Sequence, residues 1–422
     1  MSSIPEIETV IQGIDGTIKN VQVSRLTKPG ENYLSLVYRV DVEVEKNGKT
    51  STINAVAKCL PLTKTALDFN AFSMRNEIKW YSEILPLIKD FGSEYGLETD
   101  FYPEYLGSRY SLDPTKTEID KDSALLMRNL IPDGYNNDDR HIGFDLPSSK
   151  VLLKALAAFH AAPLALKFKK PDVFKQLKDY LENTRPPMPP GGPKGPGEPG
   201  GPGGPGGPPK GPPGGPKYPP DKLVLDQMLS IPQCQPYLAK IEEVRNRPSL
   251  SPFDQGPIRE PWSTIVHSDF WVNNVMLKRD EGKVQVKIVD FQMCSYGSFA
   301  KDLVFFLLSS VQDSIQQNNL DELLRFYYEE LVAVLDKVGV PELKLTFEEF
   351  LAEVKLEANS TEVLHALFFS TIVFGEKGTG PDLLIGEGDM MEHMHLMVKN
   401  MNARQKEKLA VIFEVAVSKD WI

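Results

Sequence analysis

Residues 186–220 form a run of proline and glycine that limits how the whole chain can fold. Proline recurs at every third position from Pro193 to Pro208. Proline lacks a backbone N–H and glycine loses the most conformational freedom on ordering, so neither a helix nor a sheet can continue through this run. We expect polyproline II or a disordered surface insertion. A collagen-like triple helix is disfavoured because Glu198 interrupts the glycine period and the run is short.

The chain before this run begins with β-structure and becomes helical further on. Three stretches combine β-branched residues with partial alternation: Ile18 to Val23, Leu36 to Val44 and Ser51 to Lys58. Asn47-Gly48, between the last two, is a strong hairpin signal. Apolar residues then recur at helical spacing from Asp68 to Leu87, and helices dominate from Val151 onward. The pattern predicts an α+β fold with a small sheet followed by a mainly helical part.

Charge and cysteine usage argue against several classes of function. The net charge of −11 disfavours a general nucleic-acid or membrane-surface binder, because both of those partners attract basic surfaces. No signal peptide is visible, and the longest apolar stretch, Leu303 to Val311, is shorter than the roughly 18–20 residues that span a bilayer. Cys59, Cys234 and Cys294 are spaced too widely for a disulfide framework or a metal site. We therefore expect a cytoplasmic protein without a membrane span.

The stretch from His267 to Gln292 carries the most specific chemical pattern. It contains His-x-Asp, four residues, Asn274, a short hairpin, and then Asp290 followed by phenylalanine. Phosphoryl transfer needs a carboxylate beside the attacking hydroxyl, which suits Asp269, while an amide oxygen and a second carboxylate hold Mg²⁺ against the ATP phosphates. His267 is expected to pack beneath the loop. The alternative is a β-hairpin whose polar side chains face solvent.

The front of the chain supplies residues that this chemistry requires. Lys58 ends the third predicted strand, where a lysine can grip the α- and β-phosphates, and Glu77 on the following helix can pair with it. The loop that contains Gly30, Asn32 and Ser35 lies between the first two strands, where a phosphate-covering turn belongs. It has one glycine instead of G-x-G-x-x-G, so a plain hairpin turn is the alternative.

With these residues identified, the chain resembles the ecdysteroid kinase-like (CHK kinase-like) family, which belongs with the aminoglycoside and choline kinases in the protein-kinase-like superfamily. The matching segments are GENYLS, AVAKCLP, HSDFWVNN and IVDFQ. The resemblance implies a bilobal fold, with a small antiparallel-sheet N-lobe at residues 1–127 and a large, mainly helical C-lobe at residues 128–422, interrupted by residues 186–220. It also implies ATP and Mg²⁺ as cofactors, with ATP in the cleft between the lobes.

The resemblance implies roles for individual residues. Asp269 is the expected catalytic base, and Asn274 and Asp290 are the expected Mg²⁺ ligands. Lys58 and Glu77 are the expected phosphate-positioning pair. The expected nucleotide contacts in the phosphate loop are Gly30, Asn32 and Ser35. The expected contacts in the hinge, made through backbone groups, are Met127, Arg128 and Leu130. Asp302 would brace the catalytic loop, and its alternative is a simple acid near a helix start.

The chain departs from the family pattern at several positions. Met127 to Leu130 replace the Leu-Glu-Asp-Leu of many relatives, which preserves backbone contacts to adenine but no acidic side-chain role. Ser268 replaces a common glycine, a tolerable change if its backbone angles are ordinary. Gln292 replaces the glycine of the protein-kinase Asp-Phe-Gly motif, and no Ala-Pro-Glu segment follows. The last two departures, at Gln292 and in the missing Ala-Pro-Glu segment, argue against a protein substrate.

Three functional hypotheses follow. The first is an ATP-dependent kinase that phosphorylates a hydroxyl of a small molecule, which the resemblance suggests to be an ecdysteroid or another lipophilic alcohol. Phe368-Phe369 and Ile372 to Phe374 could wall its pocket or be helix core, and Glu387 to Met397 could be a lid or a solvated loop. The second is a pseudokinase, or a nucleotide- or hormone-binding module without turnover. The third is a scaffold that recruits a partner domain through residues 186–220.

Overall fold

A computed structural model describes most of the chain. The described residues are 4–26, 35–60, 64–183, 220–247, 258–340, 343–375 and 396–422. They form a five-stranded sheet, two smaller strand pairs and a large set of helices, which is the predicted α+β architecture. The division into lobes at residue 127 stays a prediction. The strand of the large sheet that comes last in the sequence continues through Arg128.

The large sheet is entirely antiparallel. Its strands, in the spatial order β1-β2-β3-β5-β4, are β1 (Thr17–Arg25), β2 (Leu36–Lys46), β3 (Lys49–Cys59), β4 (Tyr105–Arg109) and β5 (Ala124–Arg128). The β2–β3 hairpin closes at Asn47-Gly48, as predicted. Both turn residues have positive φ, 53° and 72°, which a two-residue turn between twisted strands requires.

Alternation along β3 gives its two faces different partners. Ala55 and Ala57 are fully buried in a cluster with apolar residues near the N-terminus, including Val10. Since successive side chains of a strand point to opposite faces, Lys58 lies on the other face, toward the following helices. Strand β3 therefore has small buried alanines on one face and the long cationic side chain of Lys58 on the other.

The helical segment after β3 is longer than predicted and contains an irregular turn. Helix α1 (Lys64–Lys79) runs through a π-helical turn (Trp80–Ile84) into helix α2 (Leu85–Glu94). A π-turn adds a residue to the helical repeat and so rotates the side chains that follow. Here Trp80 and Tyr81 are both almost fully buried.

Most of the remaining elements are helices. They are α3 (Leu146–Lys169), α4 (Pro171–Asn183), α5 (Pro220–Met228), α6 (Leu238–Arg245), α7 (Ala300–Ser309), α8 (Asp313–Val338), α9 (Phe347–Glu357), α10 (Val363–Val373) and α11 (Ala403–Ser418). Local sequence signals determine where several of these helices begin or end. Capping boxes at Thr346/Glu349 and Asn402/Gln405 begin α9 and α11, and Gly339 in the left-handed conformation ends α8.

Helix α3 corrects one expectation from the sequence. Its 24 residues are long and apolar enough to span a bilayer by length and composition, whereas the sequence predicted no such segment. Of its most apolar window, 72% is buried inside the protein, against neighbours that include α8. Burial on most faces makes a core helix apolar all round, so its length and hydrophobicity are weak evidence for a membrane span.

Two short strand pairs carry the segments with the chemical pattern. Strand β6 (Ser263–Val266) pairs with β9 (Ser295–Ser298), and β7 (Val275–Asp280) pairs with β8 (Lys283–Ile288). The His-x-Asp loop therefore connects β6 to β7, and the Asp-Phe-Gln segment connects β8 to β9. This nested arrangement holds both loops at the same end of the β7–β8 hairpin.

Candidate active site

The β7–β8 hairpin brings Asn274 and Asp290 together. Its register pairs Val275 with Ile288, so Asn274 lies one residue before the first strand and Asp290 two residues after the second. The Val289 N–H donates to the Asn274 carbonyl at 2.9 Å, which continues the pairing beyond the strands. Asp290 then adopts a left-handed backbone with φ 70°, uncommon for a residue with a side chain.

Asn274 also orients Asp269. The Asn274 Nδ2 donates to the Asp269 carbonyl at 2.9 Å and to its Oδ2 at 2.7 Å. Burial raises the pKa of Asp269 well above its usual value, the charge of Asp290 raises it further, and the bond from Asn274 opposes both effects. Because Nδ2 faces Asp269, the Asn274 Oδ1 remains as the ligand atom of this side chain.

The donor set fits Mg²⁺. This ion prefers oxygen ligands, keeps several waters and binds through one or two carboxylates together with substrate phosphates. The Asn274 Oδ1 and the Asp290 carboxylate are such donors. Within the described ranges, no cluster of three or more His, Cys, Asp and Glu side chains forms a closed metal site. The residues thus suit an ion whose remaining ligands come from nucleotide and water.

The ion pair predicted between Lys58 and Glu77 is present and includes a third member. The Lys58 Nζ lies 2.8 and 2.9 Å from the two Glu77 carboxylate oxygens and 2.9 Å from Asp290 Oδ1. The Glu77 side chain is only 2% exposed. Burial by itself would lower the pKa of Lys58, but Asp290 and Glu77 raise it above its usual value. Lys58 therefore stays charged at neutral pH.

Helix α1 and the π-helical turn after it hold the Asp-Phe-Gln segment by contacts that the sequence did not predict. The Asn76 side chain donates to the carbonyls of Gln292 and Cys294, at 2.8 and 3.0 Å. The Trp80 ring stacks on Phe291 with 4.6 Å between the ring centroids. Beside Glu77, Asn76 looked like any polar helix residue, and no signal in the sequence marked it.

Asp302 braces the His-x-Asp loop. Its carboxylate accepts the backbone N–H groups of His267 and Ser268, at 2.6 and 2.8 Å, and lies 3.0 Å from His160 Nε2. Burial would raise the pKa of Asp302, but its bonds to His160 and to the His267 backbone N–H keep the value below normal. Because both Asp302 oxygens accept from the loop backbone, the geometry favours the brace over a simple helix-start acid.

His267 packs beneath the loop, as expected. Its ring is fully buried, its Nε2 lies 3.0 Å from the Val289 carbonyl, and it meets the Phe291 ring edge-on at 5.0 Å. Burial lowers the pKa of His267, so the ring is neutral and Nε2 carries the proton that bonds Val289. The histidine thereby ties the His-x-Asp loop to the strand that delivers Asp290.

Serine in place of glycine at position 268 was expected to be tolerable if its backbone angles were ordinary. Ser268 does not have ordinary backbone angles. Its φ of 63° lies in the left-handed region, which glycine occupies without steric cost. The surrounding bonds compensate, since its N–H donates to Asp302 and its hydroxyl lies 2.8 Å from the Ser295 hydroxyl. Strain held by local bonds is typical of functional sites.

The predicted hinge spans the end of strand β5 and the residues just after it. Met127 is buried within the sheet, and the N–H groups of Arg128 and Asn129 donate to carbonyls of neighbouring segments at 2.8 and 2.9 Å. The Leu130 N–H has no acceptor among the hydrogen bonds of the described residues. The Arg128 guanidinium makes two bonds of 3.1 Å to Asp133, so the basic replacement in this hinge has its own partner.

Some predicted site residues lie outside the described ranges. Gly30 and Asn32 of the phosphate loop fall there, while Ser35 lies immediately before β2 and is half-buried. The possible lid, Glu387 to Met397, also falls there except for its last two residues. The roles of both segments stay predictions.

A cleft of about 730 Å³ lies against the hinge. Tyrosines and charged side chains line it, among them Tyr81, Tyr102, Arg128 and Lys287. Arg128 and Leu130 are the predicted site residues in its wall, and neither Lys58 nor Asp269 borders it. The convergence of charged groups, rather than this cleft, identifies the candidate site.

The chain matches the model of a known protein family. A model of the ecdysteroid kinase-like family matches residues 29–187 and 223–340, more than half of the chain. The gap between the two matched ranges coincides with the proline- and glycine-rich run. No curated protein sequence matches the chain.

Two solved structures are similar in outline. An ethanolamine kinase from Plasmodium vivax is 9% identical with a TM-score of 0.39, and the match covers 92% of this chain and 84% of that chain. A microcompartment-associated aminopropanol kinase is 11% identical with a TM-score of 0.42, and the match covers 98% of this chain and 97% of that chain.

Proposed function

The chain belongs to the ecdysteroid kinase-like family, and from this premise we propose that it transfers the γ-phosphoryl group of ATP to a hydroxyl of a small molecule. One observation carries the proposal. Lys58 and Asp290, which are 232 residues apart in the chain, lie 2.9 Å from each other in a site that also contains Glu77. Asn274, which lies beside Asp290 at the hairpin end, orients Asp269.

Asp269 acts on the acceptor. Its carboxylate orients the attacking hydroxyl and accepts the proton, and Asn274 holds that carboxylate in place through Nδ2. The burial and like charge that raise the pKa of Asp269 also make its carboxylate a stronger base than an exposed aspartate.

The remaining groups act on the phosphates. Asn274 Oδ1 and Asp290 would hold Mg²⁺, which when bound neutralises charge on the phosphates. Lys58, kept charged and aimed by Glu77, contributes a fixed positive charge to the same region. The loop from Gly30 to Ser35 and the hinge backbone are the proposed contacts for phosphate and adenine.

An ecdysteroid or another lipophilic alcohol is the proposed acceptor, on the basis of the family. Phe368 in α10 and Phe374 just after it are buried core residues, whereas Phe369 and Ile372 in α10 are only half-buried. A cytoplasmic location and the absence of a nucleic-acid partner stay predictions from the charge of −11 and the free cysteines.

The test is an assay of purified protein with ATP and Mg²⁺ against ecdysteroids, other sterols, choline, ethanolamine and aminoglycosides, with mass detection of the product. We expect a phosphorylated steroidal alcohol that is absent with Asp269→Asn. Nucleotide binding without product from any acceptor would favour the pseudokinase alternative. Absence of Mg²⁺-dependent ATP binding would refute the proposal.

Residues 186–220 are proposed to recruit a partner domain that binds proline-rich segments. Two observations support an accessory role: the composition of the run and its position between the two ranges that match the family. Replacing residues 186–219 by a short Gly-Ser linker should preserve phosphotransferase activity and abolish partner binding. Loss of ATP binding in the deleted protein would contradict the accessory role.

A further inference from the structure

Asp290 has a backbone conformation that its surroundings must maintain. Its φ of 70° lies in the left-handed region, which is sterically costly for a residue with a β-carbon. On the preceding side, the Val289 N–H donates to the Asn274 carbonyl, and the Val289 carbonyl lies 3.0 Å from His267 Nε2. These bonds fix the chain up to Asp290 and leave its own φ and ψ free to change. The segment after Asp290 must therefore supply further restraint.

Helix α1 holds that following segment at three backbone groups. The Asn76 Nδ2 carries two hydrogens and lies 2.8 Å from the Gln292 carbonyl oxygen and 3.0 Å from that of Cys294. The adjacent Glu77 accepts the Phe291 N–H through Oε1 at 3.3 Å. Because a carbonyl oxygen only accepts hydrogen bonds, the orientation of the Asn76 amide is determined. Two neighbouring residues of one helix thus define the path of the turn that follows the metal carboxylate.

The other end of the Asn76 amide has no partner. The side chain is 1% exposed, and its Oδ1 has no hydrogen-bond partner among the described residues. A buried oxygen without a donor destabilises the fold, so this residue is not explained by stability alone. Its Nδ2 is what connects it to the candidate site, and the function of Asn76 must be sought in those two bonds.

Aromatic packing does not substitute for these bonds. The Phe291 ring stacks on Trp80 with 4.6 Å between the ring centroids and meets Tyr81 edge-on at 5.7 Å. Apolar packing is largely non-directional, so it anchors this ring without fixing the peptide planes on either side of it. The direction of the Asp290 carboxylate depends on those planes. The hydrogen bonds from Asn76 therefore decide where the carboxylate points.

We propose that Asn76 is a positioning residue for metal binding. By holding the turn after Asp290, it keeps Asp290 in the left-handed conformation, with its carboxylate at the end of the β7–β8 hairpin beside Asn274. Asn76 acts through the backbone of this turn and needs no contact with the ion. Without it, Asp290 relaxes toward an ordinary negative φ and the ion is held less tightly. The inference rests on the proposed function for one point, the assignment of Asn274 and Asp290 as Mg²⁺ ligands.

Two binding measurements separate the metal site from the rest of the nucleotide site. Under the proposed function, Lys58 acts on the phosphates with or without the ion, whereas Asp290 acts on them through the ion. Affinity for a non-hydrolysable ATP analogue without metal therefore reports on Lys58 and on the fold. The gain in that affinity on adding Mg²⁺ reports on Asp290. Calorimetric titration of the full chain measures both quantities without turnover.

Mg²⁺ should strengthen binding of the analogue to wild-type protein. Asn76→Ala should reduce this gain about fivefold or more, as expected from the loss of two hydrogen bonds. Its affinity without metal should stay within about twofold of wild type, because the Lys58–Glu77 pair is retained. Asn76→Leu leaves a smaller void and also lacks the donor, so an equal reduction in this variant assigns the effect to the lost bonds.

The matched control is Asn70→Ala. Asn70 is also a buried asparagine of α1, at 3% exposed with an unpaired Oδ1, and in the described part of the chain no hydrogen bond joins it to the Asp-Phe-Gln segment. Its Mg²⁺ gain should equal that of wild type, whatever the change in melting temperature.

A wild-type Mg²⁺ gain in both Asn76 variants would overturn the inference alone and show that this residue serves only the fold. An equal reduction in Asn70→Ala would overturn it as well. No Mg²⁺ gain in wild-type protein would overturn both the inference and the proposed function. The expected binding pattern without a phosphorylated product from any acceptor would uphold the role of Asn76 and refute only the proposed function.

Discussion

The Lys58 ammonium bonds Asp290 Oδ1 at 2.9 Å while both oxygens of Glu77 hold the same ammonium from the other side. Lys58 reaches this position because it ends β3, and Asp290 because it follows the β7–β8 hairpin. One cation thus joins the sheet to the loop that would carry the metal. Two carboxylates and one ammonium leave a net negative charge, which suits a site for a divalent cation.

Lys58→Met should destabilise the fold as well as abolish turnover. Glu77 is 2% exposed, and removing the cation from a buried ion pair costs about 3–5 kcal/mol of unfolding free energy. The double variant Lys58→Met/Glu77→Gln should recover much of that stability and none of the turnover, because Glu77, the most deeply buried carboxylate of the cluster, then carries no charge. Denaturant unfolding measures the first effect and product formation the second.

The matched control for that pair is Lys49→Met, an exposed lysine at the other end of β3. It should change the unfolding free energy by less than about 0.5 kcal/mol. A double variant no more stable than Lys58→Met would show that Glu77 is not an uncompensated buried charge.

Asp269→Asn should lower kcat by about 100-fold or more, the contribution typical of a general base. The melting temperature should not fall, because the change removes a buried negative charge next to Asp290 and the amide oxygen can still accept from Asn274. Asp280→Asn, at the exposed far end of the same hairpin, is the control and should leave both quantities unchanged. Near-normal turnover in Asp269→Asn would remove its assigned role.

Ser268→Gly should be more stable than Ser268→Ala by about 1 kcal/mol, because a β-carbon in the left-handed region is strained and glycine has none. Both variants lose the hydroxyl that contacts Ser295, so the comparison isolates the backbone term. Denaturant unfolding of the two proteins measures it. Equal stability would mean that the left-handed angle at this position carries no strain.

Lys408 should make stability rise with pH above neutrality. It is fully buried on α11, and burial lowers its pKa from 10.5 to about 8, although its bond to Asp313 opposes this and Arg404 adds to it. Between these two values the unfolded chain binds more protons than the folded protein, so the unfolding free energy increases with pH in that window.

The expected gain attributable to Lys408 is about 2 kcal/mol between roughly pH 7.5 and 9.5. It is measured as the difference between wild type and Lys408→Met in denaturant unfolding at the two pH values, because other groups titrate in both proteins. A difference that stays constant with pH would show that Lys408 keeps its usual pKa in the fold.

Much of the architecture could be predicted because its signals are local. Alternation from Leu36 to Lys58 and the Asn47-Gly48 turn fix the β2–β3 hairpin through interactions between near neighbours. The pairing of Lys58 with Glu77 was also predictable, since a strand and the next helix place them on facing surfaces. Asp269 and Asn274, five residues apart in one loop, required no distant partner to be recognised.

The tertiary structure decided which residues, remote in the chain, bond and pack against the elements that local signals predict. The sequence could not show that Asn76 holds the Asp-Phe-Gln segment, that Ser268 takes a left-handed backbone, or that Phe369 meets Trp271. Propensity and periodicity act over a few residues, whereas hydrogen-bond partners, burial and strain depend on which elements, remote in the chain, pack together. The sequence by itself therefore determined the first three strands, the largely helical character of the rest and the chemical groups available, and only packing determined how those groups are oriented.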